Sequence, residues 1–332
     1  MPLYQGRPVS VFGTGMYMPE RVLTNYDLEK MVDTSDAWIK ERTGISERRI
    51  AAQDELTSDL ALKASIEALK DASISPEAID MVLVATNTPD SIFPGVAPKI
   101  QGMLNASRAG ACDIQSGCTS SVYALSMAAS GIASGIWDNV LVIGAEVLSR
   151  LVNWRDRNTC VLFGDGAGAA VLGVSGDGKN RVIASNLRSD GTKHNLITFL
   201  GGLVQYPATH DTVDAGLHYI QMKGNEVFKF ANRTLPSFLE DFCHDAGCPV
   251  DKIDWWVFHQ ANWRIIEGVL KRMDVPLEKT IVNLDKYGNT SSASVFVALH
   301  EGLQSGKIRR GDLVLTVSFG SGMTYGAILF EV

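Results

Sequence analysis

Short apolar runs alternate along this chain with stretches whose apolar residues recur at helical spacing, the pattern of an α/β protein. Residues 9–15 predict a first strand closing on a glycine turn, 79–86 and 139–144 two buried strands, and 253–258 another that ends at His259. Helical spacing predicts helices over 57–72, from about 96 to 104, and over 224–246. Asn25 and the run Thr34-Ser35-Asp36 have the chemistry of caps on short helices. Residues 88–95 predict a loop, and the polar, glycine-rich stretch 176–219 predicts loops and edge strands. The glycine-rich turn at 163–172 feeds a strand but lacks the lysine and hydroxyl of a phosphate loop, so close backbone packing is expected there. Gly13 and Gly15 lack the third glycine and the helix of a dinucleotide fingerprint.

The stretch 110–125 organises the rest. A short apolar run predicts a buried strand, small residues turn the chain, and a helical pattern follows at once, which sets Cys118 at or just before a helix N-terminus. Free N–H groups and the positive end of the helix dipole favour a thiolate there. Burial as a small hydrophobe is the ordinary fate of a lone cysteine, so other residues must decide its role.

They lie in a repeat. Gly117-Cys118-Thr119-Ser120-Ser121 matches Gly288-Asn289-Thr290-Ser291-Ser292 at an offset of 171, and Gly131, Ser134 and Gly135 recur as Gly302, Ser305 and Gly306 at the same offset. Ile79-Asp80 pairs with Ile253-Asp254 at a slightly different offset, as a loop insertion gives. Duplication of a strand–turn–helix–strand unit is the economical explanation, with halves at 1–174 and 175–332. Pseudo-twofold symmetry then makes Cys118 and Asn289 face one another, with His259 at a third element end, where ligands gather in such sheets.

Composition narrows the function. A net charge of −7 without a basic block argues against nucleic acid, and no apolar run reaches a membrane span. The N-terminal residues lack a signal-peptide pattern. Five scattered cysteines suit reduced thiols in the cytoplasm. Cys243, His244 and Cys248 lack a second ligand pair at zinc spacing, so no metal is expected.

Several motifs together resemble one family. These are the segment 34–45 from Thr34 to Ile45, Phe163 to Ala170, His259-Gln260-Ala261-Asn262, Gly288 to Ser294, and Gly320-Ser321-Gly322-Met323-Thr324-Tyr325-Gly326. They are similar to the β-ketoacyl-acyl carrier protein synthase III family of the thiolase superfamily, over almost the whole chain. The resemblance implies a thiolase-like α/β fold, with two duplicated halves layered αβαβα. It implies that Cys118 takes an acyl group from coenzyme A as a thioester. His259 and Asn289 then stabilise the enolate left when a malonyl thioester loses carbon dioxide, and that carbanion attacks the acyl group. The backbone N–H groups of Cys118 and Ser321 form the second oxyanion site, and Phe163 supports the catalytic residues.

For coenzyme A, a substrate rather than a resident cofactor, the resemblance implies Trp38 and Arg157 on the two faces of adenine, with Arg42 and Asn262 further along. For the acidic acyl carrier protein it implies Lys229, Gln260, Arg264, Lys271 and Arg272, a local basic face on an acidic chain. It also implies a homodimer in which Phe93 reaches the neighbouring subunit's acyl pocket. The chain departs from the family's pattern after the nucleophile, with Thr119-Ser120-Ser121 where a small residue, glycine and phenylalanine are usual, and at Met323 and Tyr325. These departures bear on the starter group and raise a second reading, a secondary-metabolism relative that condenses or transfers unusual acyl groups. A biosynthetic thiolase is disfavoured because Ser321 stands where its second cysteine belongs. A carrier-binding protein without chemistry has no need of Cys118, His259 and Asn289 together.

Overall fold

A computed structural model describes residues 6–176 and 181–332; the segments 1–5 and 177–180, and the sequence expectations that touch them, lie outside the described residues. The strands in the first part of the chain are β1 (Val9–Tyr17), β2 (Arg21–Thr24), β3 (Glu47–Ile50), β4 (Met81–Ala85), β5 (Gly110–Ile114), β6 (Asn139–Glu146) and β7 (Gly166–Val174). Those that follow are β8 (Val182–Ser189), β9 (Ile197–Thr198), β10 (Gln221–Met222), β11 (Trp255–Phe258), β12 (Leu313–Gly320) and β13 (Thr324–Glu331). Between them run α1 (Asn25–Leu28), α2 (Asp36–Thr43), α3 (Thr57–Ala72), α4 (Val96–Met103), α5 (Ser120–Ala133) and α6 (Arg157–Cys160). The remaining helices are α7 (His210–Asp214), α8 (Gly224–Asp245), α9 (Trp263–Arg272), α10 (Leu284–Tyr287) and α11 (Ser294–Gln304).

Two sheets carry the fold. The first has the order β1-β7-β6-β4-β5 and the second β8-β13-β12-β11. In both, a parallel pair, β4 with β6 or β11 with β12, is followed by two antiparallel steps outward, and in the first sheet β5 adds a second parallel pairing on the other side of β4. The matching order and sense of four strands bear out the repeat read from the sequence; β5 is the extra strand of the first sheet. The ends of α5 and α11 match too, since Gly135 and Gly306 both take left-handed φ values, +83° and +69°, just past the helices.

Period-two alternation distributes the strand side chains between layers. Leu141, Ile143, Ala169 and Val171 pack with Leu60, Ala64 and Ala68 of α3 on one side. Val140, Val142, Ala170 and Leu172 face the other side, where Val122, Ala128, Val295 and Leu299 of α5 and α11 fill the space up to Val257, Val314 and Ile328 of the second sheet. Beyond that sheet, Leu315, Val317 and Leu329 meet Phe238, Leu239, Ile266 and Leu270 of α8 and α9. The layers are therefore αβαβα, with α5 and α11 at the centre. Burying each large aliphatic side chain there stabilises the fold by about 1.5–3 kcal/mol, and the alanines of α5 let the two sheets approach.

One strand departs from expectation. β5 was expected to be buried, yet it is an edge strand with Gly110 and Cys112 exposed, because only β4 pairs with it in this chain. Within the described part of the stretch 176–219, the expected edge strand is β8, with the two-residue strand β9 after it, whereas the short helix α7 is an addition that its polarity concealed.

Candidate active site

Cys118 stands two residues before α5, in a tight turn that leaves β5. Gly117 takes φ +57°, and a Cβ on it would lie 2.5 Å from Ser321 N; a Cβ on Gly320 would lie 2.4 Å from Cys118 N. Only glycines let the end of β12 press its backbone against the Cys118 turn this closely. Side chains lock the contact. Ser318 Oγ donates to Cys118 O (2.7 Å), Thr119 Oγ1 to Thr324 O (3.1 Å), and Thr324 Oγ1 to Ser116 O (2.9 Å). Ser120 Oγ donates to Gly117 O and accepts from Ser116 N, both at 2.7 Å. The Thr119-Ser120 departure thus supplies hydroxyls that pin the turn, whereas Ser121 Oγ is buried with no hydrogen-bond partner among the described residues.

Burial pushes the Cys118 thiol up to about 12, and the Glu146 carboxylate adds to the rise. A hydrogen bond from Ser291 Oγ, 3.2 Å from the sulfur, and the cysteine's own backbone N–H act the other way. An unassisted thiol at this position stays protonated at neutral pH.

His259 follows β11 and is held by its N–H on Val317 O (2.7 Å). The ring is almost fully buried and meets Phe319 edge-on at 5.5 Å. Burial lowers its pKa to about 3, so the imidazole is neutral at physiological pH. Nδ1 lies 2.7 Å from Ser294 Oγ, which is also 2.9 Å from Ser291 O and accepts from Gln260 N (3.2 Å). That hydroxyl has one proton and two acceptors in reach. Given to Nδ1, it leaves the imidazole proton on Nε2 as a donor; given to Ser291 O, it leaves Nε2 as a base.

Asn289 is fixed through its backbone: its N–H donates to Leu162 O (2.8 Å), and its carbonyl accepts from Gly164 N (3.0 Å), in a bridge opposite Phe163. Its Oδ1 accepts from Ser291 N at 2.8 Å, which fixes the amide orientation and leaves Nδ2 as the outward donor. Cys118, Asn289 and the hydroxyl beside His259 are all tied to Ser291, so the three residues expected from the sequence converge on one place. Phe163 is buried behind it.

Farther out, Ser35 accepts from Trp38 N to cap α2, and Trp38 stands half-buried beside α9. Arg157 lies 4.8 Å and Arg42 5.9 Å from its ring centroid. An aromatic ring inserted between Trp38 and Arg157 needs about 7 Å between its neighbours, so Arg157 must shift outward by roughly 2 Å to admit one. Asn262 caps α9 by accepting from Arg264 N (2.9 Å) and donates to Arg42 O (3.0 Å), which joins the two helices of this rim.

On the expected docking face, Lys229 is exposed, Arg264 lies over Phe228, Lys271 pairs with Glu267 (2.9 Å), and Arg272 donates to Asn232 O. Gln260 does not belong with them. It is only 1% exposed, its Nε2 donates to Phe258 O and Ile281 O, and its Oε1 accepts from Asn283 N. Its amide is used up inside the protein, which corrects the expectation that it meets a carrier. Phe93, by contrast, is 84% exposed beside Ile92.

Sequence reasoning missed Asn87, Glu146, Ser291, Ser294 and Phe319. Ser291 and Ser294 lie inside the Gly288 to Ser294 motif, and Glu146, a lone carboxylate ending an apolar strand, is the one available signal. Among the described residues, no group of three His, Cys, Asp or Glu side chains is placed to hold a metal ion, and no helix is long and apolar enough to cross a membrane.

Comparisons with known proteins show the family. Residues 112–191 match the family described as 3-oxoacyl-[acyl-carrier-protein (ACP)] synthase III, and residues 243–332 match that described as its C terminal part. The chain is 52% identical over 323 residues to the β-ketoacyl-[acyl-carrier-protein] synthase III of Symbiobacterium thermophilum and 50% identical over 321 residues to that of Caldanaerobacter subterraneus subsp. tengcongensis, covering 97% of both chains in each case. The crystal structure of 3-oxoacyl-[acyl-carrier-protein] synthase III from Aquifex aeolicus VF5 is similar with a TM-score of 0.90 at 44% identity, over 98% of this chain and 100% of that one. The chain belongs to the β-ketoacyl-acyl carrier protein synthase III family.

Proposed function

We propose that this chain joins a short acyl-CoA to malonyl-acyl carrier protein in a decarboxylating Claisen condensation, the step that initiates type II fatty acid synthesis. The observation that carries this reading is the attachment of Cys118, Asn289 and the hydroxyl beside His259 to a single turn at Ser291. The Cys118 sulfur attacks the acyl-CoA carbonyl, and the coenzyme A thiolate leaves with the thiol proton. The transient oxyanion lies against the N–H groups of Cys118 and Ser321. Malonyl thioester then binds with its carbonyl oxygen toward Asn289 Nδ2 and His259 Nε2. The bond to the carboxylate breaks, carbon dioxide departs, and the electron pair forms an enolate held by those two neutral donors. The enolate carbon attacks the acyl-Cys118 carbonyl, and collapse expels the Cys118 thiolate and gives the β-ketoacyl product.

Trp38, Arg157, Arg42 and Asn262 form the rim for coenzyme A, and Lys229, Arg264, Lys271 and Arg272 the basic face for an acidic carrier. The chain works in the cytoplasm as two fused halves, 1–174 and 175–332, and as a homodimer with Phe93 covered by the partner. Phe93→Asp is expected to give a monomer in analytical ultracentrifugation; an unchanged dimer would place the interface elsewhere. For the reaction itself, the test is incubation with a panel of acyl-CoAs followed by intact and tryptic mass spectrometry. An acyl adduct on Cys118 that is absent in Cys118→Ala supports the synthase reading and names the starter; no adduct from any acyl-CoA defeats it.

A further inference from the structure

Ser291 directs three different groups at the three side chains assigned to catalysis. Its N–H donates to Asn289 Oδ1 (2.8 Å), its carbonyl faces the Ser294 hydroxyl that lies against His259 Nδ1 (2.9 and 2.7 Å), and its own hydroxyl reaches Cys118 Sγ (3.2 Å). Such convergence requires an unusual backbone. Ser291 takes φ +48°, a left-handed conformation uncommon for any residue but glycine, and such residues gather at functional sites.

The hydroxyl is also oriented from behind. Asn87 Nδ2 has two protons and three acceptors in reach, Glu146 Oε1 (2.7 Å), Gly117 O (3.1 Å) and Ser291 Oγ (3.3 Å), so Glu146 takes one and Gly117 O and Ser291 Oγ share the other. Glu146 is completely buried and accepts further bonds from Asn87 N (3.0 Å), Thr88 Oγ1 (2.9 Å) and Ser292 Oγ (2.8 Å). The carboxylate therefore anchors Asn87, and Asn87 shares its second proton between Gly117 O and a lone pair of Ser291 Oγ. The single hydroxyl proton of Ser291 points to the sulfur, 3.2 Å away, and the amide behind it favours that direction. The condensation mechanism derived above makes no use of this chain of groups.

We propose that Ser291 is a further catalytic residue, whose hydroxyl donates a hydrogen bond to the Cys118 thiolate when it attacks acyl-CoA and again when it is expelled, and that Asn87, anchored on Glu146, is the positioning residue that aims it. The assignment rests on Cys118 being the acyl acceptor. A charge-assisted donor answers the difficulty burial creates, since this thiol is otherwise held protonated, and it offsets the rise to which Glu146 adds.

Ser291→Gly separates this role from a structural one. Glycine keeps the N–H and C=O that hold Asn289 and Ser294, favours the left-handed backbone, and removes the hydroxyl alone. The rate of iodoacetamide alkylation at Cys118, followed by mass spectrometry of its tryptic peptide, is measured at pH 8, where it reports the small thiolate fraction. It is expected to fall about tenfold, with acylation at pH 7 slowed to a similar extent. The melting temperature is expected to be unchanged or higher. Asn87→Ala is expected to lower the alkylation rate by less, and to add little in the Ser291→Gly background. An unchanged alkylation rate in Ser291→Gly, full additivity of the two changes, or loss of folding in Ser291→Gly would each overturn the proposal. Alkylation needs no acyl donor, so a tenfold slower alkylation in Ser291→Gly beside a wild-type protein that accepts no acyl group would overturn the synthase reading and leave only the hydrogen bond from Ser291 to the thiolate established.

Discussion

Adding one methyl group at Gly320 tests whether the two backbones that meet at the nucleophile are placed as tightly as catalysis requires. A Cβ there would lie 2.4 Å from Cys118 N, 3.0 Å from Cys118 Cα and 3.1 Å from Cys118 Cβ. The first contact is between fixed main-chain atoms, and ordinary contact begins near 3.4 Å, so in Gly320→Ala the end of β12 and the Cys118 turn must separate by about 1 Å. Ser318 Oγ on Cys118 O and Thr324 Oγ1 on Ser116 O tether the same two segments, so rotation of a side chain cannot relieve the clash. A displacement of about 1 Å in an oxyanion-stabilising group lowers rate by roughly a hundredfold. The assay is single-turnover acylation of Cys118 by acyl-CoA in a quenched-flow instrument, with coenzyme A affinity measured separately by calorimetry. The expected outcome is an acylation rate about a hundredfold lower with affinity little changed, because Trp38 and Arg157 sit on α2 and α6. Acylation within about threefold of the parent would refute the reasoning, since it would mean that the Ser321 N–H does not hold the transition-state oxyanion.

Other consequences are as direct. The folded-state pKa of His259, about 3, lies below its ordinary value of 6.5, so the unfolded chain takes up that proton more readily. Its stabilising contribution is therefore complete above pH 6.5 and is lost as pH falls from 6.5 toward 3; denaturant titrations of His259→Gln should show a shallower loss of stability across that interval. Trp38→Ala is expected to raise the KM for acyl-CoA about tenfold with little change in turnover, as steady-state kinetics will report, because ring stacking is lost away from the reacting atoms. Arg48 is fully buried and gives hydrogen bonds to Leu23 O, Asn25 Oδ1 and Val161 O. Arg48→Leu strands those acceptors and is expected to destabilise the fold by about 3 kcal/mol in chemical denaturation.

Periodicity made much of this structure legible. The helix expected at 57–72 is α3 residue for residue, and the apolar runs at 79–86, 139–144 and 253–258 are β4, β6 and β11 within a few positions. These segments are buried on both faces or along a clear stripe, so local pattern and tertiary environment agree. The fixed offset from Gly131 to Gly302 exposed the repeat because both glycines belong to matching helix ends. Exposure was harder to read. β5 carries small residues whose burial depends on whether a neighbour covers the edge, and Gln260 is buried by Phe258, Ile281 and Asn283, an environment its polar side chain gives no sign of. The left-handed turn at Ser291 and the anchoring of Glu146 were hidden for the same reason. Their partners lie far apart in the chain, with Asn87 more than two hundred residues before Ser291.

The duplication has a further consequence for how this chemistry is possible at all. Two identical subunits related by a twofold axis must present the same residue to that axis from both sides, either two nucleophiles or two amides. Covalent fusion of the halves removes that requirement. One copy is free to keep a sulfur at Cys118 while the other, at the corresponding turn, carries the carboxamide of Asn289. The broken symmetry is what lets a sulfur and a carboxamide meet at one turn, Ser291, in place of two copies of either.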